Sequence, residues 1–120
     1  MNKNFGKTGF VFSNESEWEE IGDGVKRKIL AYEKDLMLAV FEFKEGSIGY
    51  LHHHPHKQVG YLVKGSFEVT INGEKKILKT GDSYLTLPDI EHGAVALEDS
   101  VLIDVFTPYR KDFIESKPDA

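Results

Sequence analysis

The sequence predicts an all-β domain built as a sandwich or a barrel. Turn residues recur at short intervals along the 120 residues, as in Gly22-Asp23-Gly24 and Gly81-Asp82. Many short strands separated by such turns are typical of sandwiches and barrels. The segment Ser66–Ile71 alternates between apolar and polar side chains and runs into Asn72-Gly73, which is the strongest short signal for a hairpin turn.

Eight segments between the turns predict strands, because β-branched and aromatic side chains favour extended structure. In chain order they are Val25–Ala31, Leu36–Phe43, Val59–Lys64, Ser66–Ile71, Lys75–Leu78, Ser83–Leu87, Gly93–Leu97 and Val101–Phe106. Helix is expected only as a short turn near Ser16–Glu20 and another near Arg110–Glu115. The charged run Lys26-Arg27-Lys28 is interpreted as a solvated strand face.

The length of 120 residues fits one domain. We expect an N-terminal strand segment at 1–24, a barrel core at 25–107 and a C-terminal tail at 108–120. Leu36–Phe43 and Val101–Phe106 are apolar on both faces, so a second sheet or a partner subunit must cover them. A homodimer is therefore expected, with a monomeric sandwich as the alternative.

Composition excludes several classes of partner and site. The formal net charge is −5, which argues against a nucleic-acid partner. No apolar run approaches the ~20 residues of a membrane span, and the N-terminus lacks an apolar secretion core. The chain has no cysteine, so disulfides and thiolate sites are excluded. A cytoplasmic location is expected.

Three histidines and one glutamine stand at fixed spacing. The first segment reads Gly46-x5-His52-x-His54-x3-Gln58-x6-Gly65, and the second runs from Gly81 to His92. Residues two apart in an extended segment project to the same side, so His52 and His54 project together. Three imidazoles and an amide oxygen can hold a divalent metal with positions left open, as catalytic sites do. The alternative is a polar surface loop with an accidental run of histidines.

This pair of segments resembles the two motifs of the cupin superfamily. The first motif matches at Gly46, His52, His54 and Gly65, with Gln58 in place of the usual Glu, and Gly81 and His92 have the separation of the second motif. The resemblance implies a small double-stranded β-helix, that is, a jelly-roll barrel with the metal inside.

The presence of glutamine at position 58 has an electrostatic consequence. Neutral ligands leave the full +2 charge of the metal uncompensated, so the site should attract an anionic oxygen ligand. The alternative for Gln58 is a hydrogen bond to a neighbouring histidine without a metal bond. Nickel, zinc, manganese, iron, cobalt and copper all suit nitrogen-rich sites.

A second cluster of polar residues lies near the C-terminus. Strand alternation places Leu102, Asp104 and Phe106 on one face, and a buried carboxylate needs a partner or a wet pocket. Asp104 is interpreted as a general acid/base, Arg110 as a clamp for a carboxylate and Phe106 as an apolar wall. The alternative is a plain salt bridge between Asp104 and Arg110 or a lysine.

These residues sharpen the resemblance to the pectin-degradation branch of the cupins, which linearises unsaturated uronates. The similarity extends over nearly the whole chain, from Trp18 to Arg110, although Gly60 stands in the region where that branch uses a second glutamine. The resemblance implies a metal held by His52, His54, Gln58 and His92, with Asp104 and Arg110 serving turnover beside Phe106. We add Tyr61 as a substrate-binding candidate, because it flanks the metal motif.

The implied activity is metal-dependent opening of the ring of 4,5-unsaturated monouronates, released by lyases from pectin or alginate, to linear 4-deoxy-5-keto uronates. The expected partner is therefore a small anionic sugar. Three alternatives are a cupin dioxygenase of the quercetinase type, a sugar-binding cupin without catalysis, and a metal-free structural barrel.

Overall fold

The computed structural model describes residues 6–115, which form two antiparallel sheets. The strands are β1 (Glu19–Gly22), β2 (Val25–Glu33), β3 (Leu36–Phe43), β4 (Ile48–His52), β5 (Lys57–Lys64), β6 (Ser66–Ile71), β7 (Glu74–Lys79), β8 (Ser83–Thr86), β9 (His92–Ala96) and β10 (Ser100–Thr107). One sheet has the order β1-β2-β3-β10-β5-β8, and the other has the order β4-β9-β6-β7. The all-β expectation is confirmed.

Local sequence signals place most of the strands correctly. All eight predicted strands are present, with ends that differ by at most two residues. The predicted hairpin joins β6 to β7, and Asn72 and Gly73 have φ values of 49° and 81°, as a primed two-residue turn requires. The predicted C-terminal helix is also present, as α1 (Lys111–Glu115).

Two elements differ from the sequence prediction. A 3-10 turn lies at Ser13–Glu15 instead of a helical turn at Ser16–Glu20, and Glu19 and Glu20 belong to β1, which pairs with β2. β4 was not among the predicted strands. Its residues are mostly exposed, and its sequence shows no clear alternation of apolar and polar side chains. β1 forms a local hairpin with β2, whereas β4 forms because the distant strand β9 completes its backbone hydrogen bonds, which local propensity does not report.

The interior between the sheets contains apolar and polar side chains together. Phe43 of β3 and Phe67 of β6 meet edge to face with centroids 5.0 Å apart. Inward positions are also occupied by polar side chains, namely His54, Gln58, Thr86, His92, Asp104 and Arg110. Buried polar groups are costly without partners, so this set marks the region where function is expected.

The interpretation of Lys26-Arg27-Lys28 as a solvated face is wrong for two of the three residues. Arg27 and Lys28 are both buried. Lys28 Nζ donates to the backbone oxygen of Ser13 at 2.9 Å, and Arg27 Nε lies 3.3 Å from a carboxylate oxygen of Glu19. The segment that precedes β1 covers Lys28 through Ser13 and Trp18, whereas Arg27 faces inward and Lys26 stays partly exposed.

Within residues 6–115, no helix combines the length and the apolar character that crossing a bilayer requires.

Candidate metal centre

Three histidines from two distant segments converge, as their spacing predicts. His52 ends β4, His92 begins β9, and the two residues are directly paired in the ladder. The ring centroids of His52 and His92 are 4.4 Å apart, and those of His54 and His92 are 5.0 Å apart. One nitrogen from each of the three rings lies within 4.8 Å of the others. This spacing suits a single metal ion.

Hydrogen bonds at the outer ring nitrogens fix the tautomers of two of these rings. His52 Nδ1 lies 2.8 Å from the carbonyl oxygen of Tyr50, and His92 Nδ1 lies 2.9 Å from that of Ile90. A carbonyl only accepts, so each Nδ1 carries the hydrogen and each Nε2 keeps its lone pair. His92 Nε2 is buried and has no hydrogen-bond partner among the described residues. A cation is the partner that this orphaned lone pair fits.

His54 and Gln58 are joined by a hydrogen bond. His54 Nε2 lies 2.9 Å from Gln58 Oε1, while His54 Nδ1 accepts from the backbone N–H of His56 at 3.3 Å. In this arrangement the hydrogen of His54 is on Nε2. The contact matches the alternative interpretation of Gln58, a hydrogen bond to a neighbouring histidine. Binding a metal through Nε2 requires the other neutral tautomer, in which the hydrogen is on Nδ1 and the contact from the His56 N–H has opened. The donor set fits a divalent metal once the His54–Gln58 bond opens.

The buried histidines are held in the neutral form that metals bind. Burial lowers the pKa of His54 from 6.5 to about 4, and the positive charge of Arg110 acts in the same direction. Burial also lowers the pKa of His92. Since only the neutral imidazole is a ligand, neither ring has to be deprotonated at neutral pH, although His54 must still change its tautomer.

Asp104 is a buried carboxyl group that bonds to a tyrosine. Its side chain is 4% exposed, and Tyr84 donates its hydroxyl hydrogen to Asp104 Oδ1 at 2.8 Å. Burial raises the pKa of Asp104 from 3.8 to about 6, although the hydrogen bonds from Tyr84 and Gln58 oppose this shift. A carboxyl group with such a pKa can take up and release a proton near neutral pH.

The alternative salt bridge between Asp104 and Arg110 is not observed. Arg110 instead directs Nε and Nη2 to the two carboxylate oxygens of Asp112, at 3.0 and 2.8 Å. The predicted common face of Leu102, Asp104 and Phe106 is confirmed, because all three side chains are buried on the inner side of β10.

Two arginines pack on the rings of buried phenylalanines. The guanidinium carbon of Arg27 is 3.8 Å from the centroid of Phe113, and that of Arg110 is 4.1 Å from the same ring. Arg110 also lies 5.1 Å from the ring of Phe106. Sequence reasoning missed Arg27, although its alternation with Val25 and Ile29 signals an inward position.

A cavity of about 410 Å³ connects these groups, a volume within the range of small-molecule sites. Its walls include His52, Gln58, His92, Tyr84, Asp104, Phe106, Arg27, Arg110 and Phe113. Tyr84 was not singled out from the sequence, since a lone tyrosine in a strand gives no local signal.

The position of Tyr61 corrects one expectation. Tyr61 alternates with the buried Gln58, Gly60 and Leu62 on β5, so its ring lies on the outer face of the sheet. It is 47% exposed and does not line the cavity. A contact between Tyr61 and a substrate in this cavity is therefore not expected.

Known proteins resemble this chain over most of its length. The pectin degradation protein KdgF of Dickeya dadantii is 50% identical over 107 residues, which cover 88% of this chain and 97% of that protein. The structure of KdgF from a Halomonas species superposes with a TM-score of 0.85 at 42% identity, covering 89% of this chain and 99% of that one. A RmlC-like cupin from Shewanella frigidimarina has the same TM-score and identity, with 89% and 96% coverage.

The family model of the cupin domain matches residues 39–106. That range includes both histidine segments and the strands that carry them. Together with the two facing antiparallel sheets, this match confirms the expected jelly-roll barrel, and the chain belongs to the cupin family.

Proposed function

We propose that this chain is a metal-dependent enzyme that opens the ring of 4,5-unsaturated monouronates, the products of pectin or alginate lyases, to linear 4-deoxy-5-keto uronates. The observation that carries the proposal is one cavity lined by two of the three convergent histidines, His52 and His92, and by a buried carboxyl group of raised pKa. The high identity to a pectin degradation protein supports the choice of substrate class.

The charges around the cavity favour an anionic ligand. In the proposed metal centre, His52, His54, His92 and Gln58 would all be neutral ligands, so a divalent ion would keep its full charge. Arg27 and Arg110 add two positive charges to the wall, although Glu19 and Asp112 partly offset them. A sugar carboxylate matches this field, and the cavity volume suits a single sugar ring better than a polymer chain.

The proposed reaction is an isomerisation in which atoms balance without an oxidant. The bond between C1 and the ring oxygen breaks, a proton leaves the C1 hydroxyl, a proton is added at C4, and the ring oxygen becomes the ketone at C5. Asp104 is suited to accept the first proton and to deliver the second, since its pKa lies near 6. A bound divalent ion would polarise substrate oxygens.

The remaining residues of the proposed site bind and orient the substrate. Phe106 is 1% exposed and forms an apolar wall next to Asp104. Arg110 is held in place by Asp112 and by its contacts with Phe106 and Phe113. We propose that Arg110 attracts the substrate carboxylate from this fixed position, because a guanidinium held by several contacts loses little entropy on binding.

The decisive experiment follows the ultraviolet absorbance of a lyase-generated unsaturated monouronate. Loss of absorbance above the rate without enzyme, abolished by a chelator and restored by metal, is the expected result. Turnover that is indifferent to thorough chelation would contradict a metal-dependent reaction. Oxygen consumption with an aromatic enol would instead favour the dioxygenase alternative, and sugar binding without turnover would favour the non-catalytic one.

The proposal includes a homodimer formed through the outer face of the six-stranded sheet. Leu36, Val59, Tyr61 and Leu85 are each about half exposed there, and the register aligns Val59 with Leu85 and with Val105. Such a contiguous apolar surface is typical of an interface. Sedimentation should give twice the chain mass, with dissociation in Val59→Lys, whereas a monomer at all concentrations would contradict the dimer.

The native metal and the cellular location complete the proposal. Nickel, zinc, manganese, iron and cobalt remain candidates, because an imidazole-rich site does not select strongly among them. Elemental analysis of protein purified without added metal identifies the occupant. We place the enzyme in the cytoplasm, and fractionation of cells that produce it tests this location.

A further inference from the structure

We propose that Tyr84 is a positioning residue that turns the amide oxygen of Gln58 toward the histidine cluster and holds Asp104 beside it, and that Gly60 provides the space for this connection. The inference rests on the metal centre proposed above. It concerns how the chain prepares that centre, so it can be tested without any sugar substrate.

The orientation of the Gln58 amide follows from the single hydrogen of the Tyr84 hydroxyl. Tyr84 donates this hydrogen to Asp104 Oδ1 at 2.8 Å. Its oxygen is then left to accept, and it accepts from Gln58 Nε2 at 2.7 Å. Because Nε2 is directed to Tyr84, Oε1 must point the other way, where it lies 2.9 Å from His54 Nε2. Metals bind an amide through its oxygen, so this orientation is the competent one.

The strand register explains how one tyrosine reaches two functional side chains. Tyr84 of β8 and Asp104 of β10 are both direct partners of Gly60 on the intervening β5. The ring of Tyr84 therefore crosses β5 above Gly60 to reach Asp104, while Gln58 lies two residues away on the same face. The connection joins three neighbouring strands within one sheet.

Gly60 is required for this crossing because a side chain at that position would occupy the path of the ring. A Cβ built on Gly60 would overlap Cε1 and Cζ of Tyr84 and would approach Asp104 Oδ1 to 2.8 Å. A glycine in the interior of a strand often marks such a close approach. The backbone conformation of Gly60 does not itself call for glycine, since its φ is not positive. Space for Tyr84 is therefore the reason for this glycine.

The first test removes only the hydroxyl group. Tyr84→Phe keeps the ring but removes the acceptor that lies 2.7 Å from Gln58 Nε2, so the amide should be oriented less firmly and bind metal less well. Loss of a group that orients a ligand typically costs about 10- to 100-fold in metal affinity. Cobalt(II) is the probe, with affinity measured by competition against a chromophoric chelator and coordination by the visible spectrum.

Tyr61→Phe is the matched control, because it removes the same hydroxyl from the outer face of β5 and should change neither readout. The proposal expects weaker cobalt binding and an altered spectrum in Tyr84→Phe alone, with thermal unfolding showing that both variants fold. Wild-type affinity and spectrum in a folded Tyr84→Phe would overturn the positioning role.

The second test displaces the tyrosine without changing it. Gly60→Ala should push the ring out of its path and weaken cobalt binding in the same direction as Tyr84→Phe, and the two changes together should add little. Gly22→Ala is the control, since a Cβ there meets only Val25 at 3.9 Å or more. Unchanged cobalt affinity in a folded Gly60→Ala would show that the space above Gly60 is not required.

The third test asks whether amide orientation is the reason. In a Gln58→Glu background no amide needs to be oriented, because both terminal atoms of the carboxylate are oxygens. Tyr84→Phe should then weaken cobalt binding much less than it does in the native background, and an equal loss in both backgrounds would overturn the orientation argument. Failure of the unmodified protein to bind any divalent metal would overturn the metal centre as well, which separates the two failures.

Discussion

Asp104 shows how burial prepares a single side chain for chemistry. The group is enclosed between strands and keeps an acceptor role toward Tyr84, yet desolvation raises its pKa to about 6. A carboxyl group at the surface would stay ionised at neutral pH and could not return a proton efficiently. The same side chain therefore carries a cost for folding and a benefit for the proposed reaction.

Replacing Asp104 by Asn should abolish most of the ring-opening activity without unfolding the protein. The amide keeps the size of the side chain and an oxygen for the Tyr84 hydroxyl, but it cannot exchange the proton. The expected loss in kcat is about 10²- to 10⁴-fold, the usual contribution of a general acid/base. Chromophore loss at saturating monouronate is the measurement, and Asp35→Asn on an exposed turn is the control. Near-normal turnover in Asp104→Asn would rule out the assigned role.

The pKa of Asp104 also predicts a pH dependence of stability in metal-free protein. A carboxyl group with a raised folded-state pKa contributes stability that is fully present below 3.8 and is lost as the pH rises through about 6. The amide introduced by Asp104→Asn does not titrate. The free energy of unfolding of this variant, relative to that of the wild type, should therefore increase as the pH rises from 4 to 7. The gain is at most on the order of 3 kcal/mol.

Chemical denaturation at both pH values, after chelation, measures this difference. The control Asp35→Asn should track the wild type at each pH. A difference between Asp104→Asn and wild type that stays constant with pH would contradict the raised pKa.

The turns show how single glycines define elements of this barrel. Gly73 closes the β6–β7 hairpin with φ of 81° and has open space around the position of a Cβ. Gly65 joins β5 to β6 with φ of 100°, and a Cβ there would overlap the buried side chain of Ser100. Ser100 in turn accepts a hydrogen bond from the backbone N–H of Ser66 at 3.1 Å.

Alanine substitutions at these two turns should differ in cost for that reason. Gly73→Ala meets only the left-handed backbone penalty, about 1–2 kcal/mol. Gly65→Ala meets the same penalty and must also displace Ser100, so its loss of unfolding free energy should be clearly larger. Urea denaturation compares the two variants, and equal losses would show that the contact with Ser100 is unimportant.

At the scale of the whole molecule, the proposed metal is expected to bind segments that are far apart in the chain. His52 and His54 come from the end of β4 and the loop after it, while His92 comes from the start of β9. A ligand that binds only the folded state stabilises it by mass action, by about 2.7 kcal/mol when its concentration is 100 times its Kd. The metal should therefore stabilise the barrel as a whole.

Chelation should lower the melting temperature of the wild-type protein, and added metal should restore it. The melting temperature of His92→Gln should be the same with and without chelator, because this variant lacks a proposed metal ligand. In the native protein, Nε2 of His92 is buried and has no hydrogen-bond partner among the described residues. His53→Gln, at an exposed neighbouring position, should behave as wild type. A chelator effect of equal size in His92→Gln would place the metal elsewhere.

Much of this architecture was predictable because it depends on local patterns. Ser66–Ile71 followed by Asn72-Gly73 specifies a hairpin through period-two alternation and two residues that tolerate positive φ. The spacing of His52 and His54 is likewise readable, because an extended segment places alternate residues on one side, although Gln58 belongs to the next strand, β5. Tyr61 was misassigned because proximity in sequence to a motif does not decide which face of a strand a side chain occupies.

Local patterns in the chain were enough to predict the all-β class, the eight main strands and the histidine spacing, since each depends on neighbouring residues. The folded structure was needed to show that Arg27 packs on Phe113, that Arg110 pairs with Asp112, and that Tyr84 crosses Gly60 to reach Asp104. The last of these contacts depends on which strands lie side by side. Strand pairing between residues far apart in the chain is set by packing and hydrogen bonding of the complete sheets, and no local pattern records it.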